Sequence, residues 1–192
     1  MFDSDYKVSG IYATYWKDLC KRQKRKGESD EEYKNDHFKI FNNYMDCYMA
    51  ATILGIKSGR TGKLVDKENK DDAGMMADIM NKRSEKLKYI YQLCMLFENE
   101  RNLTEEERME NAFQLSEYNE NGEINQENAQ RISENMKIME LYFFGGLEIL
   151  HEEFVEKCIT DDDYLDRIYS FSKEYKDELD FDDTDPDIDA YL

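Results

Sequence analysis

One stretch, residues 136–157, constrains the fold more than any other. Met136, Met139, Phe143, Leu147, Leu150 and Phe154 recur at steps of three and four, the spacing that puts side chains on one face of an α-helix. Ile138, Tyr142 and Ile149 widen the stripe. The pattern predicts a long, central, buried helix that begins near Gln126. Gly145 and Gly146 stand inside it where alanine would be favoured, at about 1 kcal/mol for each glycine in a helix interior. Adjacent glycines there either admit a second helix at close range or open a kink. The reading favours close approach, with Gly145, Gly146, Leu147 and Leu150 as the packing surface.

Around that helix the chain reads as all-α, a compact bundle of about six to seven helices. The first ten residues carry no regular pattern. A helix over 11–26 presents Tyr12, Tyr15, Trp16 and Leu19 on one face and ends in a basic run that includes Arg22, Lys24 and Arg25. Ser29 and Glu32 have the spacing of a capping box, so a helix is expected over 30–55, carrying Tyr33, His37, Ile40, Phe41, Tyr44, Met45, Tyr48, Met49, Thr52 and Ile53 and stopping at Gly55. Residues 71–81 form a short helix or an irregular segment. A strong helix over 84–99 buries Leu87, Ile90, Tyr91, Cys94, Met95 and Phe97, and the capping pair Thr104 and Glu107 opens another to about residue 116. Thr160 followed by three aspartates starts the last helix, because acids suit the positive end of the helix dipole; Tyr164, Leu165, Ile168 and Phe171 supply its apolar face. Neither a strand nor a repeat is expected. Residues 1–176 form one domain, and 177–192 an acidic tail, mobile unless a partner orders it.

Charge narrows the function classes. The chain carries −18, unevenly: residues 1–27 hold seven Lys or Arg against three Asp, which leaves −22 on the remainder. Such a surface repels phosphate backbones and anionic membranes and suits a basic protein partner. No apolar run approaches the roughly 20 residues that span a bilayer. Cys20, Cys47, Cys94 and Cys158 are far apart and sit at apolar helical positions, which reads as reduced core thiols. With no secretory signal in view, a cytoplasmic location is expected.

Four stretches approach known chemical motifs. Residues 55–64 form a glycine-punctuated basic loop resembling a phosphate loop, yet Lys57 stands where glycine is needed and Leu64 where a metal-binding hydroxyl is needed. The better reading is an exposed loop that offers Lys57, Arg60 and Lys63 to a partner, with Arg60 replaceable without harm to the fold. Residues 117–128 approximate a calcium loop around Gly122, but Glu117 and Asn128 misfit its ends, so a polar turn is expected. Glu148 and His151 make half of a di-iron carboxylate motif; the other half is missing, and Glu148, His151 and Glu152 read as a solvated helix face. Two histidines without a neighbouring nucleophile give no triad. The reading is a non-enzyme without metal or cofactor.

The segments Tyr142-Phe143-Phe144-Gly145-Gly146-Leu147-Glu148-Ile149-Leu150 and Ala50-Ala51-x-x-Leu54-Gly55-Ile56-Lys57-x-Gly59-Arg60 resemble, in the same order, two motifs of the Dnd system-associated protein 4 family. Ile56 replaces that family's aromatic residue. The resemblance implies a bacterial accessory protein without assigned catalytic activity, encoded beside DNA phosphorothioation or related anti-phage genes. Its partner would be a larger ATPase or nuclease of the same system, with DNA reached through that partner. Two readings compete: an acidic mimic of nucleic acid that inhibits a DNA-binding enzyme, and a metal-dependent helical enzyme.

Overall fold

The computed structural model describes residues 2–21, 29, 39–63, 69–119 and 121–179. In chain order these form β1 (Tyr6–Ser9), α1 (Ile11–Leu19), α2 (Tyr44–Ser58), β2 (Asp72–Met75), α3 (Ala77–Asn81), α4 (Ser84–Phe97), α5 (Glu105–Met109), α6 (Gln126–His151) and α7 (Asp161–Leu179). A π-helical turn extends α5 over Glu110–Gln114, and another extends α6 over Glu152–Glu156. The fold is therefore a helical bundle with seven α-helices among the described residues. None of these is long and apolar enough to cross a membrane.

α2 and α6 make the most extensive helix pair, and glycine is the reason. A Cβ at Gly146 would overlap the carbonyl of Ala51, one at Gly145 the carbonyl of Arg60, and one at Gly55 the carbonyl of Tyr142. Backbone thus meets backbone at each of these places. α6 runs unbroken through its glycine pair, so the pair serves close approach and not a kink. Met139, Phe143, Leu147, Leu150 and Phe154 are buried along the inward face. Trp16 from α1 reaches the same centre, with its ring 5.1 Å from Phe143 and 4.8 Å from Tyr44 and its Nε1 donating to the Tyr44 carbonyl at 3.2 Å.

Several elements depart from the sequence reading. Two short strands exist where none was expected: β1 pairs antiparallel with β2 in the register Tyr6 to Met75 through Ser9 to Asp72. Four residues are too few to show alternation, and the partner lies far along the chain, so no hairpin signal marks them. α1 stops at Leu19, and Cys20 bridges to Phe41 through Lys21 N to Phe41 O at 2.8 Å and Phe41 N to Leu19 O at 3.0 Å. Residues 39–43 are consequently not helical; α2 begins after Asn43, whose side chain accepts from Asp46 N at 2.9 Å. The expected helix start at 29–32, with Tyr33 and His37, lies outside the described residues apart from Ser29. So do Arg22, Lys24 and Arg25.

Gly55 does not end α2. The helix continues to Ser58 and ends at Gly59, which adopts the left-handed conformation with φ 62°, the common helix terminator. The last helix reaches Leu179, and residues 180–192 lie beyond the description. Phe97 and Leu165 point outward, 60% and 61% exposed. In α4 the inward stripe runs Leu87, Ile90, Tyr91, Cys94 and Met95, and its next position is Glu98, so Phe97 falls off it. In α7, Tyr164, Ile168 and Phe171 pack against the core and Leu165 sits a residue out of phase.

Glu98 is fully buried, and its donors are all present. Its carboxylate accepts from Arg101 Nε at 2.9 Å and from the backbone N–H groups of Glu100 and Arg101 at 2.9 and 3.1 Å. Arg101 then donates to Asn135 Oδ1 at 2.9 Å, and Asn135 to the Tyr91 hydroxyl at 2.8 Å. This chain ties the end of α4 to α6. The four cysteines are buried; burial pushes the Cys94 thiol up to about 12, which leaves it unreactive.

The glycine contact makes a comparison possible. Gly146→Ala is expected to destabilise by about 3 kcal/mol or more, since a methyl group would collide with rigid backbone. Gly59→Ala, with nothing within 4 Å of its added Cβ, is expected to lose only about 1 kcal/mol, the cost of left-handed backbone. Urea denaturation of both variants checks the order, and equal losses would contradict it.

Candidate functional site

The most developed polar cluster lies where the segment after α2 crosses the C-terminal half of α6. Gly62 N donates to the Leu141 carbonyl at 2.8 Å, which lays residues 60–62 along α6. Arg60 then reaches over the glycine pair to the next turns of that helix. Its guanidinium donates to Glu148 Oε2 from Nε at 3.1 Å and from Nη2 at 2.9 Å, and to Glu152 Oε2 from Nη1 at 2.9 Å. Nη2 also meets Glu152 Oε1. Glu148 and Glu152 are one helical turn apart, so one planar guanidinium can clasp both.

Tyr12 completes the clasp from α1. Its hydroxyl donates to Glu148 Oε1 at 2.7 Å and accepts from Lys63 N at 2.8 Å, while its ring stacks on Phe144 with centroids 4.2 Å apart. Burial and the Glu148 carboxylate push this phenol well above its ordinary range. The Arg60 hydrogen bonds hold the Glu152 carboxyl below its usual value, and the Glu152 and Glu148 carboxylates raise Arg60 in turn. A carboxylate held ionised in this way suits a structural clasp and is a poor proton donor.

His151 stands beside this group and joins no metal set. Its ring stacks on Tyr15 at 3.9 Å; Nδ1 faces Glu156 Oε1 at 3.2 Å and Nε2 faces Asp18 Oδ2 at 3.4 Å. Glu148 turns instead to Arg60 and Tyr12, so the Glu148 and His151 pair does not converge. Of the expected solvated face, Glu152 is 42% exposed, whereas the side chains of Glu148 and His151 are largely covered, His151 by the stacked Tyr15. Among the described residues no group of three or more His, Cys, Asp or Glu side chains gathers as a metal site. In the 117–128 segment, Asn119 Oδ1 accepts from Asn121 N and Glu123 N at 3.0 and 2.9 Å, which closes a polar turn around Gly122.

Of the loop cations, Lys57 and Lys63 are exposed, whereas Arg60 is committed inward. These contacts give Arg60 a structural part in addition to the partner-facing one expected of it. The sequence signal was incomplete because Arg60, Glu148 and Glu152 lie on separate segments, and only the fold shows that they meet. The two motifs singled out in the sequence are also two halves of one contact: Ala51, Gly55 and Arg60 on one side, Tyr142, Gly145, Gly146 and Glu148 on the other. In comparison with known proteins, no family model matches the chain, and no curated sequence or solved structure matches it either.

Elsewhere, several cations pair with acids of the same chain. Arg131 holds Glu110 through two hydrogen bonds at 3.0 and 2.9 Å, Arg167 pairs with Glu153, and Lys17 with Asp71. Carboxylates remain outward, including exposed Glu105 and Glu106 on α5 and Asp161, Asp162, Asp163 and Asp166 on α7.

Replacing Arg60 with alanine is expected to destabilise the fold by about 1–2 kcal/mol near neutral pH, a figure discounted for the partial exposure of the clasp. Because Glu152 has a depressed folded value, its contribution is complete above the ordinary glutamate range and disappears as pH falls through the folded value. Urea midpoints of wild type and Arg60→Ala should therefore converge in acid. A constant gap across pH would show that the loss is one of packing.

Proposed function

We propose that the protein is a non-catalytic accessory subunit of a bacterial anti-phage defence complex, which docks through its acidic surface on a larger basic protein, an ATPase or nuclease of the same system. The observation that carries this reading is the division of charge. Arg60, Arg101, Arg131 and Arg167 are paired with Glu98, Glu110, Glu148, Glu152 and Glu153, while α5 and α7 present runs of exposed acids and the exposed cations, such as Lys82, Arg83, Lys86 and Lys88, lie on other elements. Such a surface attracts a basic partner at long range and discriminates against nucleic acid as a direct ligand.

The paired motifs add a second support. Their resemblance to the phosphorothioation-linked family rests on residues that build the α2 and α6 contact, so the likeness concerns the scaffold on which a docking surface is displayed. Lys57 and Lys63, exposed at the edge of that scaffold, are the cations through which a partner or its bound DNA would be touched. A second reading, an acidic mimic of nucleic acid, is favoured by the same outward acids and differs in the strength of the complex.

Affinity purification of the tagged protein from its native cell separates the two. A subunit is expected to keep an ATPase or nuclease bound at about 0.5 M salt, where the screening length is only about 4 Å, because charge only steers the encounter and the exposed Met109, Phe113, Leu165 and Tyr169 on the same faces supply apolar burial that salt does not weaken. Release of a single DNA-binding enzyme at that salt would contradict the subunit reading and establish the mimic.

A further inference from the structure

The strand pair leaves backbone groups without partners. Beyond Ser9 and Asp72 the ladder continues to Gly10, whose N–H donates to the Asp71 carbonyl at 2.8 Å. Antiparallel pairs alternate between bonded and non-bonded positions, so Val8 with Ala73 and Tyr6 with Met75 exchange the ladder bonds. The main-chain groups of Lys7, Ser9, Asp72 and Gly74 therefore point away from the ladder. Among the described residues no third strand extends the sheet, and none bonds to the Asp72 carbonyl, to either main-chain group of Gly74 or to the Met76 N–H.

The two edges are not alike. On β1, Lys7 carries a charge of the kind by which edge strands discourage pairing. On β2, Gly74 has no side chain, so its exposure is that of the backbone itself. Glycine is required there by the strand pair, since an added Cβ would collide with the Tyr6 carbonyl. A cleft of about 550 Å³ runs along the pair, and its lining includes Asp5, Lys7, Tyr44, Asp72 and Met76. Met76 is 63% exposed at its end.

These features define the occupant. From Asp72 to Met76 the edge runs about 13 Å, and alternating donors and acceptors over that length match another extended backbone; a helix has already bonded its own. Charge selects which extended chain. A second copy would bring one net charge of −18 against another, which opposes self-pairing. A segment carrying Lys or Arg instead meets Asp72 on the edge and Asp5 in the cleft. Opposite Gly74 an aromatic residue fits, because its ring covers the pleat that glycine leaves bare.

We propose that the outer edge of β2 receives an extended basic segment of another protein as a third strand, with the segment's Lys or Arg beside Asp72 and its aromatic residue over Gly74. This edge is separate from the acid-rich faces of α5 and α7, and its test does not depend on docking there.

The probe is the capped peptide acetyl-Lys-Val-Tyr-Val-Lys-amide, titrated into the full chain by calorimetry and followed by amide hydrogen exchange. A dissociation constant of about 1 mM is expected, which four net hydrogen bonds supply, together with slowed exchange at the Gly74 and Met76 amides. Met76→Pro removes one edge donor and leaves the fold intact. Met76 already has φ −72° and ψ 151°, which proline adopts, and its carbonyl still accepts from Ile79 N at 3.0 Å. The variant should melt no lower than wild type and bind the peptide about fivefold more weakly, the effect of one hydrogen bond. Asp72→Asn should weaken binding about threefold, and the peptide with Glu in place of Lys should not bind. Sedimentation of the free chain should give a monomer. No binding of the Lys peptide, equal binding of the Glu peptide, unchanged affinity in Met76→Pro or exchange at Gly74 that the peptide does not slow would overturn the proposal. A dimer that Met76→Pro dissolves would overturn it too, by assigning the edge to a second copy.

Discussion

Direct contact between the backbones of α2 and α6 is the constraint from which the other features follow. Three glycines, Gly55, Gly145 and Gly146, remove the side chains that would hold the two helices apart. Their intrinsic cost in a helix, about 1 kcal/mol each, is offset by dense packing of Ala51, Leu147 and Leu150 around them, because dispersion and apolar burial both grow as surfaces close. The close approach also decides where the chain goes next. α2 ends at Gly59, and the following residues lie along α6, bringing Arg60 within reach of Glu148 and Glu152.

Polar groups then fix what apolar packing leaves free. The Arg60 clasp and Tyr12 join α1, the segment after α2 and α6. The Glu98, Arg101, Asn135 and Tyr91 chain joins α4 to α6. Glu98, fully buried, receives its donors from the turn that follows it, and the partly exposed Glu148 and Glu152 receive theirs from Arg60 and Tyr12, so removing Arg101 strands a buried charge. Glu140 is held more simply, by the Tyr6 hydroxyl of β1 at 3.0 Å.

Legibility followed the range of the physical signal. The stripe from Met139 to Phe154 and the capping box at Thr104 with Glu107 are local, and each could be read from a few residues. β1 and β2 could not, because four-residue strands depend on partners across most of α1 and α2. Gly55 misled for the same reason: as a local rule glycine ends helices, yet here it sits inside one because Tyr142 presses on it. Arg60 read as an exposed loop cation until α6 was placed beneath it. The inward turn of Glu98 was visible in principle, since it continues the Leu87 to Met95 stripe by one step. Its acidity argued against burial, and the Arg101 and Asn135 partners that reverse that argument come from the loop after α4 and from α6.

Native-state hydrogen exchange measures the central dependence most directly. If the glycine contact holds the fold together, the amides of α2 near Ala51 and of α6 near Leu147 should form the slowest class, exchange together, and open only with global unfolding. Exchange of α2 well before α6, or a slower class located in α4 and α7, would contradict the account.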